Sequence, residues 1–349
     1  MAKNDNLKDL LTDVADAIRE KKGTTDLINP QDFGEEIRGI ESGSSMWTGH
    51  VDVEGLKAIG WNDEDIAYFQ KYGVNWDEED DELHKVSEDN KALYGVVTLD
   101  NVAEYKDKLV YLPKVSINSA RLTLNHVFNG FSNLVAIPII DTSRITEMTG
   151  TFKGCYSLLY IPAIDFDKVT NTSTMCEGCT ALLHVAPIKI EELTANYMFQ
   201  SCCTLNEIVL NTIKPIKSAM YMFYGNIGLK KISGTLNTSN VQDFRYMMYD
   251  CRTLVSVPLI DMKSATNVSS FAYNTVCLRD IKIQNLSISI SLKESKALSK
   301  ESLLFIINNE AATSAITITL HASTYARLST NADIVEALNN HPLVTLASA

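Results

Sequence analysis

The sequence predicts an α+β protein whose centre is a solenoid of about eight coils, flanked by helical and mixed segments. Three observations predict it. A motif recurs every 23–25 residues, anchored on Phe128, Phe152, Cys176, Phe199, Phe223, Met248 and Ala272. Six residues after each anchor stands leucine: Leu134, Leu158, Leu182, Leu205, Leu229, Leu254 and Leu278. Nine residues after it stands Ile or Val, followed in three coils by Pro138, Pro162 and Pro258, with Asp141, Asp165 and Asp261 three positions further on. A fixed period of this size makes each coil one unit that buries its apolar face only against its neighbours.

Each segment has its own local logic. Residues 1–45 predict two short helices. Leu7, Leu10, Leu11, Val14 and Ile18 have helical spacing, and Gly23 stops the run. Asn29-Pro30 opens a second helix with the apolar face Phe33, Ile37 and Ile40. Two such helices cannot bury that surface alone, so this segment is expected to be an anchor, with Leu7, Leu11, Ile18, Phe33 and Ile37 as its contacts. Residues 41–45, ESGSS, read as a hinge. Residues 46–100 predict a small acidic spacer domain rich in aromatics, among them Trp47, Trp61, Tyr68, Phe69, Tyr72 and Trp76. Its run Asp77 to Glu82 lacks the alternating ligands and central Gly of a calcium loop, so it reads as a solvated loop.

Residues 101–286 hold the coils, with Leu109 and Pro113 fitting a degenerate leading one. The Leu-x-x-Ile-Pro segment predicts a short strand in each coil, because Pro marks a strand end. The Phe-x-Gly-Cys segment predicts a turn or helical piece. At one strand spacing per coil the stack is roughly 35–40 Å long. Residues 287–349 break the period. They predict a helix over 302–309, a strand over 315–320, a helix over 323–339 and a last strand over 344–346, together a C-terminal α/β cap.

Composition narrows the function. The net charge of −12 argues against a nucleic-acid binder, which needs clustered Lys and Arg. No apolar run is long enough to span a membrane. The opening MAKNDNLKDLL lacks the basic end and apolar core of a secretory leader. Four of seven cysteines (Cys155, Cys179, Cys202 and Cys251) share one repeat column, which fits reduced structural thiols made in a cytosol. Cys176-Glu-Gly-Cys179 also falls on repeat columns and reads as core. The six histidines show no metal spacing, and no nucleophile elbow or phosphate loop is present. No catalytic residue, metal or cofactor is expected. Asp141 and Asp165 lie on adjacent coils, where paired carboxylates would serve glycoside hydrolysis; their repeat position favours a turn role instead.

The strongest candidate surface is aromatic. Tyr197, Tyr221 and Tyr246 stand two residues before an anchor, and Tyr224, Tyr249 and Tyr273 one residue after. Stacked coils turn these into two tyrosine ladders, with the methionines Met175, Met198, Met222 and Met247 between them as core filling. Tyrosines give rigid contact area with a hydroxyl, suited to binding a glycan or a protein; packing against a flank or a neighbouring subunit is the other reading. The variable pairs after each repeated Leu, such as Leu183-His184 and Lys230-Lys231, are a second candidate face.

The repeat resembles the BspA-like (DUF285-type) leucine-rich repeat, M-F-x-G-C-x-S-L-x-x-I-P-x-L-D. Thr151 to Leu158 (TFKGCYSL) followed by Leu159 to Asp165 (LYIPAID) matches it, as does Met247 to Asp261. The resemblance implies a leucine-rich-repeat solenoid over a little more than half the chain. The flanks resemble fibre proteins of phages of gut bacteria: Ala15 to Phe33 follows A-x-A-I-R-x-K-x-G-T-x-x-x-I-x-P-x-x-F, and SLLFIINN (302–309) with TLHASTY (319–325) resembles their closing segment. These matches imply a non-enzymatic virion structural protein, a tail or head fibre subunit made in the host cytoplasm. They also imply that residues 1–45 bind other virion proteins, that the repeat touches a bacterial surface, and, by analogy, a homo-oligomer of trimeric form. A bacterial surface adhesin and a glycan-degrading enzyme are the alternatives.

Overall fold

The computed structural model describes residues 120–349 apart from 138, 139, 191–193 and 213, together with short pieces before them: 45–48, 57, 63, 66, 67, 85, 86, 93, 94, 102–110, 112 and 115–118. The expected anchor residues Leu7, Leu11, Ile18, Phe33 and Ile37 and the acidic run 77–82 lie outside the described residues. The chain divides into two units, Met1–Met46 and Trp47–Ala349, and all the coils belong to the second.

The early strands are short: β1 (Ser45–Thr48), β2 (Lys85–Val86) antiparallel to β3 (Leu93–Tyr94), and β4 (Val115–Asn118). From there successive repeats lie parallel. Three backbone N–H groups around each anchor from Phe128 to Met248 donate to the next repeat. His126 donates to the Thr149 carbonyl at 2.9 Å, Phe128 to Thr151 at 2.9 Å and Gly130 to Lys153 at 2.6 Å. One repeat on, Gly150, Phe152 and Gly154 donate in the same way to Ser173, Met175 and Glu177. Within a repeat the anchor segment closes as a turn, as when Cys155 N–H donates to the Phe152 carbonyl at 3.1 Å. Each of these six rungs is thus a tight turn with its spare donors bonded to the next one.

The opposite side carries the strands. β5 (Tyr160–Ile161) pairs in parallel with β6 (His184–Val185). β7 (Ile188–Ile190), β8 (Glu207–Thr212) and β9 (Lys231–Thr235) form a three-stranded parallel sheet. Beyond it the expected strand shrinks to single parallel bridges, Lys231↔Ser256 and Ser256↔Asp280. The named strands there, β10 (Ile260–Asp261) and β11 (Ile283–Gln284), lie after the Pro258 position, where backbone donors are available again.

The core runs between the two sides. All seven repeated leucines are fully buried, and the anchor rings stack: Phe128 on Phe152 at 5.6 Å and Phe199 on Phe223 at 6.2 Å. Each buried leucine contributes about 1.5–3 kcal/mol, so the column alone is a large part of the stabilisation.

The C-terminal segment corrects one expectation. Residues 287–349 leave the 24-residue period, yet they extend the parallel pairing. β12 (Ile290–Leu292) pairs with β13 (Ile316–Leu320), and β13 with β14 (Val344–Ser348), with Ile290 opposite Ile318 and Ile316 opposite Val344. Each step is 28 residues because the return path is helical: α1 (Lys300–Asn308), then α2 (Ala322–Leu328) and α3 (Ala332–Asn340). A helix advances only ~1.5 Å per residue, so it takes more residues to cover the same path. The helices start where they do because Ser299, His321 and Asn331 accept hydrogen bonds from the first free N–H groups. The one helix expected over 323–339 is two, broken at Ser329 to Asn331.

Candidate functional site

The tyrosines form two ladders that meet. In the first, Tyr197 stacks on Tyr221 at 4.7 Å and Tyr221 on Tyr246 at 4.6 Å. In the second, Tyr224 stacks on Tyr249 at 4.9 Å and Tyr249 on Tyr273 at 4.8 Å. These spacings match the ~4.8 Å between neighbouring strands, so one ring sits on each rung. Tyr221 and Tyr224 join the ladders at 5.4 Å with tilted rings, and Tyr246 and Tyr249 do the same at 5.5 Å. The outcome is one slab of six phenols. Between the columns, Met175, Met198, Met222 and Met247 are fully buried and support the slab from beneath.

Stacking has a chemical consequence. Inner rings turn both faces to one another, so their edges and hydroxyls are what solvent meets. Burial, then the phenols of Tyr246 and Tyr197, push the Tyr221 hydroxyl above its ordinary value of 10.0. Tyr249 shifts the same way, through burial and then Tyr224. These hydroxyls therefore remain proton donors at neutral pH.

The backbone under the first ladder is unusual. Tyr197, Tyr221 and Tyr246 have φ of 58°, 57° and 54°, in the left-handed region. His126, Thr174 and Ser270 occupy the same repeat position at 58°, 57° and 52°, and Gly150 holds it at 58°. The strain belongs to the turn, and three tyrosines bear it to reach the surface. A second left-handed position follows each anchor by two residues, held by Gly130, Gly154, Gly178, Ser201, Gly225, Asp250 and Asn274. It explains the repeated glycine of the motif.

Polar groups frame the slab. Arg245 pairs with Asp243 at 2.6 Å and donates to the Met220 sulfur at 3.3 Å, beside Tyr221. At the other end Arg252 grips Asp250 through two nitrogens, at 2.8 and 3.2 Å, while the Asn274 amide also donates to Asp250. Asp250 and Asn274 share the second left-handed column, but their residue types do not repeat along it, so sequence columns do not reveal these ion pairs.

The cysteine column does more than fill space. Cys155, Cys179, Cys202 and Cys251 donate their thiols to the anchor carbonyls of Phe128, Phe152, Cys176 and Phe223 at 3.0–3.2 Å. Asn226 holds the same position and donates to Phe199 at 2.8 Å and to Phe223 at 3.0 Å, leaving its own Oδ1 buried without a partner. Burial drives Cys155, Cys176 and Cys202 well above the ordinary thiol value of 9.0 and Cys251 up to about 12. All seven cysteines are free thiols, and the described residues contain no cluster fit to hold a metal.

The remaining candidates have plainer roles. Asp141 accepts from the Ser143 N–H at 2.9 Å and Asp165 from the Asp167 N–H at 2.8 Å, the expected turn role, at the edge of a shallow cleft that also includes Lys189. Asp261 repeats it with Lys263 at 2.9 Å. On the second face Tyr160 stacks on His184 at 5.5 Å, and Glu207 pairs with Lys231 at 3.0 Å. Those neighbours satisfy one another, and the ion pair is exposed, so it contributes little.

Two overlapping stretches of the repeat, 122–209 and 189–285, match the family described as Mycoplasma protein of unknown function, DUF285. No curated protein and no solved structure matches the chain.

Proposed function

We propose, from the premise that the repeat region is of the DUF285 family, that this chain is a non-enzymatic attachment protein. Its coils form a leucine-rich-repeat solenoid, and the six-tyrosine slab is the surface that meets a bacterial envelope. One observation carries the contact: Tyr197, Tyr221, Tyr246, Tyr224, Tyr249 and Tyr273 lie in unbroken stacking contact on the outside of the repeat. Such a surface is rigid before binding, so little side-chain entropy is lost on contact. The setting is a phage fibre subunit, which rests on the resemblance of Ala15 to Phe33 and of the closing segment to such fibres. In that setting residues 1–45 hold other virion proteins, and several copies, as in a trimer, multiply a weak contact.

The test uses the full chain, fluorescently labelled, on a panel of intact gut bacteria. Tyr221→Gly combined with Tyr246→Gly should remove attachment. Glycine relieves the left-handed strain at both positions, which offsets part of the lost stacking, so the melting temperature should fall by only a few degrees. Attachment unchanged in the double variant refutes the slab as the contact. Mass spectrometry of purified phage particles tests the setting: the chain must be among the particle proteins.

A further inference from the structure

The parallel pairing of the C-terminal segment ends on β14. Its sheet has the order β12-β13-β14, so among the described residues β14 is paired along one edge only. Ile316 N–H donates to the Leu343 carbonyl at 2.8 Å, and Ala349 N–H donates to the Leu320 carbonyl at 3.0 Å. Groups alternate along a strand, so residues 343, 345, 347 and 349 turn toward β13. The other set turns outward: the N–H groups of Leu346 and Ser348 and the carbonyls of Val344, Leu346 and Ser348. The Val344 N–H is already held by the His341 carbonyl at 2.9 Å. Nothing in the strand blunts this edge. VTLAS (344–348) has no charge and no proline, and its register with β13 runs through five residues without a bulge.

The last helix turns an apolar side to the same end. α1 lies between β12 and β13, and α3 leads into β14, one step further along the stack. Lys300 of α1 holds Asp333 of α3 at 2.8 Å, so Asp333 marks the side of α3 nearest α1. Val335 lies about 200° round the helix from it, on the side away from α1. Val335 is 41% exposed, and Leu343, directly before β14, is 37% exposed.

We infer that the free edge of β14 is a two-fold interface, and that its occupant is the β14 of a second copy of this chain, running antiparallel. The inference is independent of the attachment reading above. The outward groups read the same in both directions about Leu346. With Leu346 opposite Leu346 of the second copy, each leucine N–H meets the other's carbonyl. Each Ser348 N–H then meets the opposite Val344 carbonyl. These four bonds use every outward donor the strand has free and leave the Val344 N–H on His341. With no charge on the strand, like meets like without repulsion. A different protein would have to supply an unblunted edge of its own, whereas a second copy brings one by symmetry. A two-fold contact also closes on itself, so covering the edge this way does not grow into a filament.

The contact is smaller than a standard interface, so the full chain is measured by sedimentation equilibrium up to about 100 μM. Its limiting mass should be an even multiple of the chain mass, and Ser348→Pro should halve it. Proline there removes an N–H that β13 does not use, so the fold should hold, which thermal unfolding checks. A second measurement does not depend on that variant. Thr345→Cys chains are mixed with Ala347→Cys chains under mild oxidation. In the antiparallel pair residue 345 of one copy stands opposite residue 347 of the other, with Cα atoms about 4.5–5.5 Å apart, within reach of a disulfide. The mixture should yield covalent pairs, and the parent chain, whose exposed thiol is Cys277, should yield none under the same conditions. A mixture that fails to cross-link overturns the interface. So does a mass that a folded Ser348→Pro chain leaves unchanged, which puts the contact between copies elsewhere. A single-chain mass at the highest concentration also overturns it and leaves the edge to a partner of another sequence.

Discussion

Gly150→Ala is the sharpest probe of the backbone beneath the ladder, because Gly150 holds at 58° the position that Tyr197, Tyr221 and Tyr246 hold elsewhere. Two effects add. An L-residue in the left-handed region costs about 1–2 kcal/mol, reduced by about 0.4–1 kcal/mol from the stiffer unfolded chain. The new methyl also meets the His126 ring, with Nδ1 at 2.5 Å and Cε1 at 2.6 Å from the ideal Cβ position. His126 is exposed, so its ring swings aside at the expense of its rotamer, on the order of 0.5–1.5 kcal/mol. Gly150→Ala should therefore destabilise by about 2 kcal/mol, and by only about 1 kcal/mol in a His126→Ala background. Urea unfolding of the four proteins of the cycle, compared at equal slope, measures both terms. Equal losses in the two backgrounds would remove the His126 ring from above Gly150. A Gly150→Ala protein as stable as its parent would refute the left-handed column itself, and with it the path that brings the first tyrosine ladder to the surface.

Four further outcomes concern the thiols and Asn226, which stands in their column. In the native protein a thiol reagent should modify only exposed Cys277 and half-buried Cys203, with the other five reacting after unfolding. Stability should fall as pH rises above 9. Unfolded thiols ionise from 9.0 while Cys155, Cys176, Cys202 and Cys251 hold their protons in the fold, Cys251 up to about 12, so each of these removes up to ~1.4 kcal/mol per pH unit; flat urea midpoints from pH 8.5 to 10.5 would contradict this. At Asn226, replacement by Cys restores one thiol donor and removes the orphaned oxygen, leaving stability within about 1 kcal/mol of the parent or above it. Asn226→Asp, which loses both donors and puts a buried acid against the Phe199 and Phe223 carbonyls, should cost more than about 3 kcal/mol by thermal unfolding.

What the sequence makes legible here is whatever repeats as a side chain. Tyr197, Tyr221 and Tyr246 align by counting, and counting suffices to stack them, because one period is one rung. The leucine and methionine columns emerge for the same reason. What stays hidden is backbone conformation and whatever departs from the period. Nothing in Tyr221 as a letter signals φ of 57°; only Gly150 in that column hints at it. The cysteines read as small core residues, whereas their thiols finish the hydrogen bonding of the anchor carbonyls, a role that Asn226 reveals by taking it over with an amide. The continued pairing of β12, β13 and β14 is concealed by a change of unit: helices replace turns, the step lengthens, and a search for the same spacing stops at residue 286. The aspartate–arginine–asparagine group is assembled from residues on two rungs: Asp250 and Asn274 share a column held elsewhere by glycine or serine, so their residue types carry no repeating signal.

The one-ring-per-rung arrangement makes the tyrosine slab a quantised structure. Its length changes only in whole rungs, and a rung carries its own leucine, its own anchor and its own bonds to both neighbours. A copying slip that duplicates or deletes one repeat in phase would lengthen or shorten the slab by a single ring spacing without asking the interior for any new kind of contact. Reach across a surface is then a heritable integer, adjustable in one genetic event, while every substitution within a rung tunes only local chemistry.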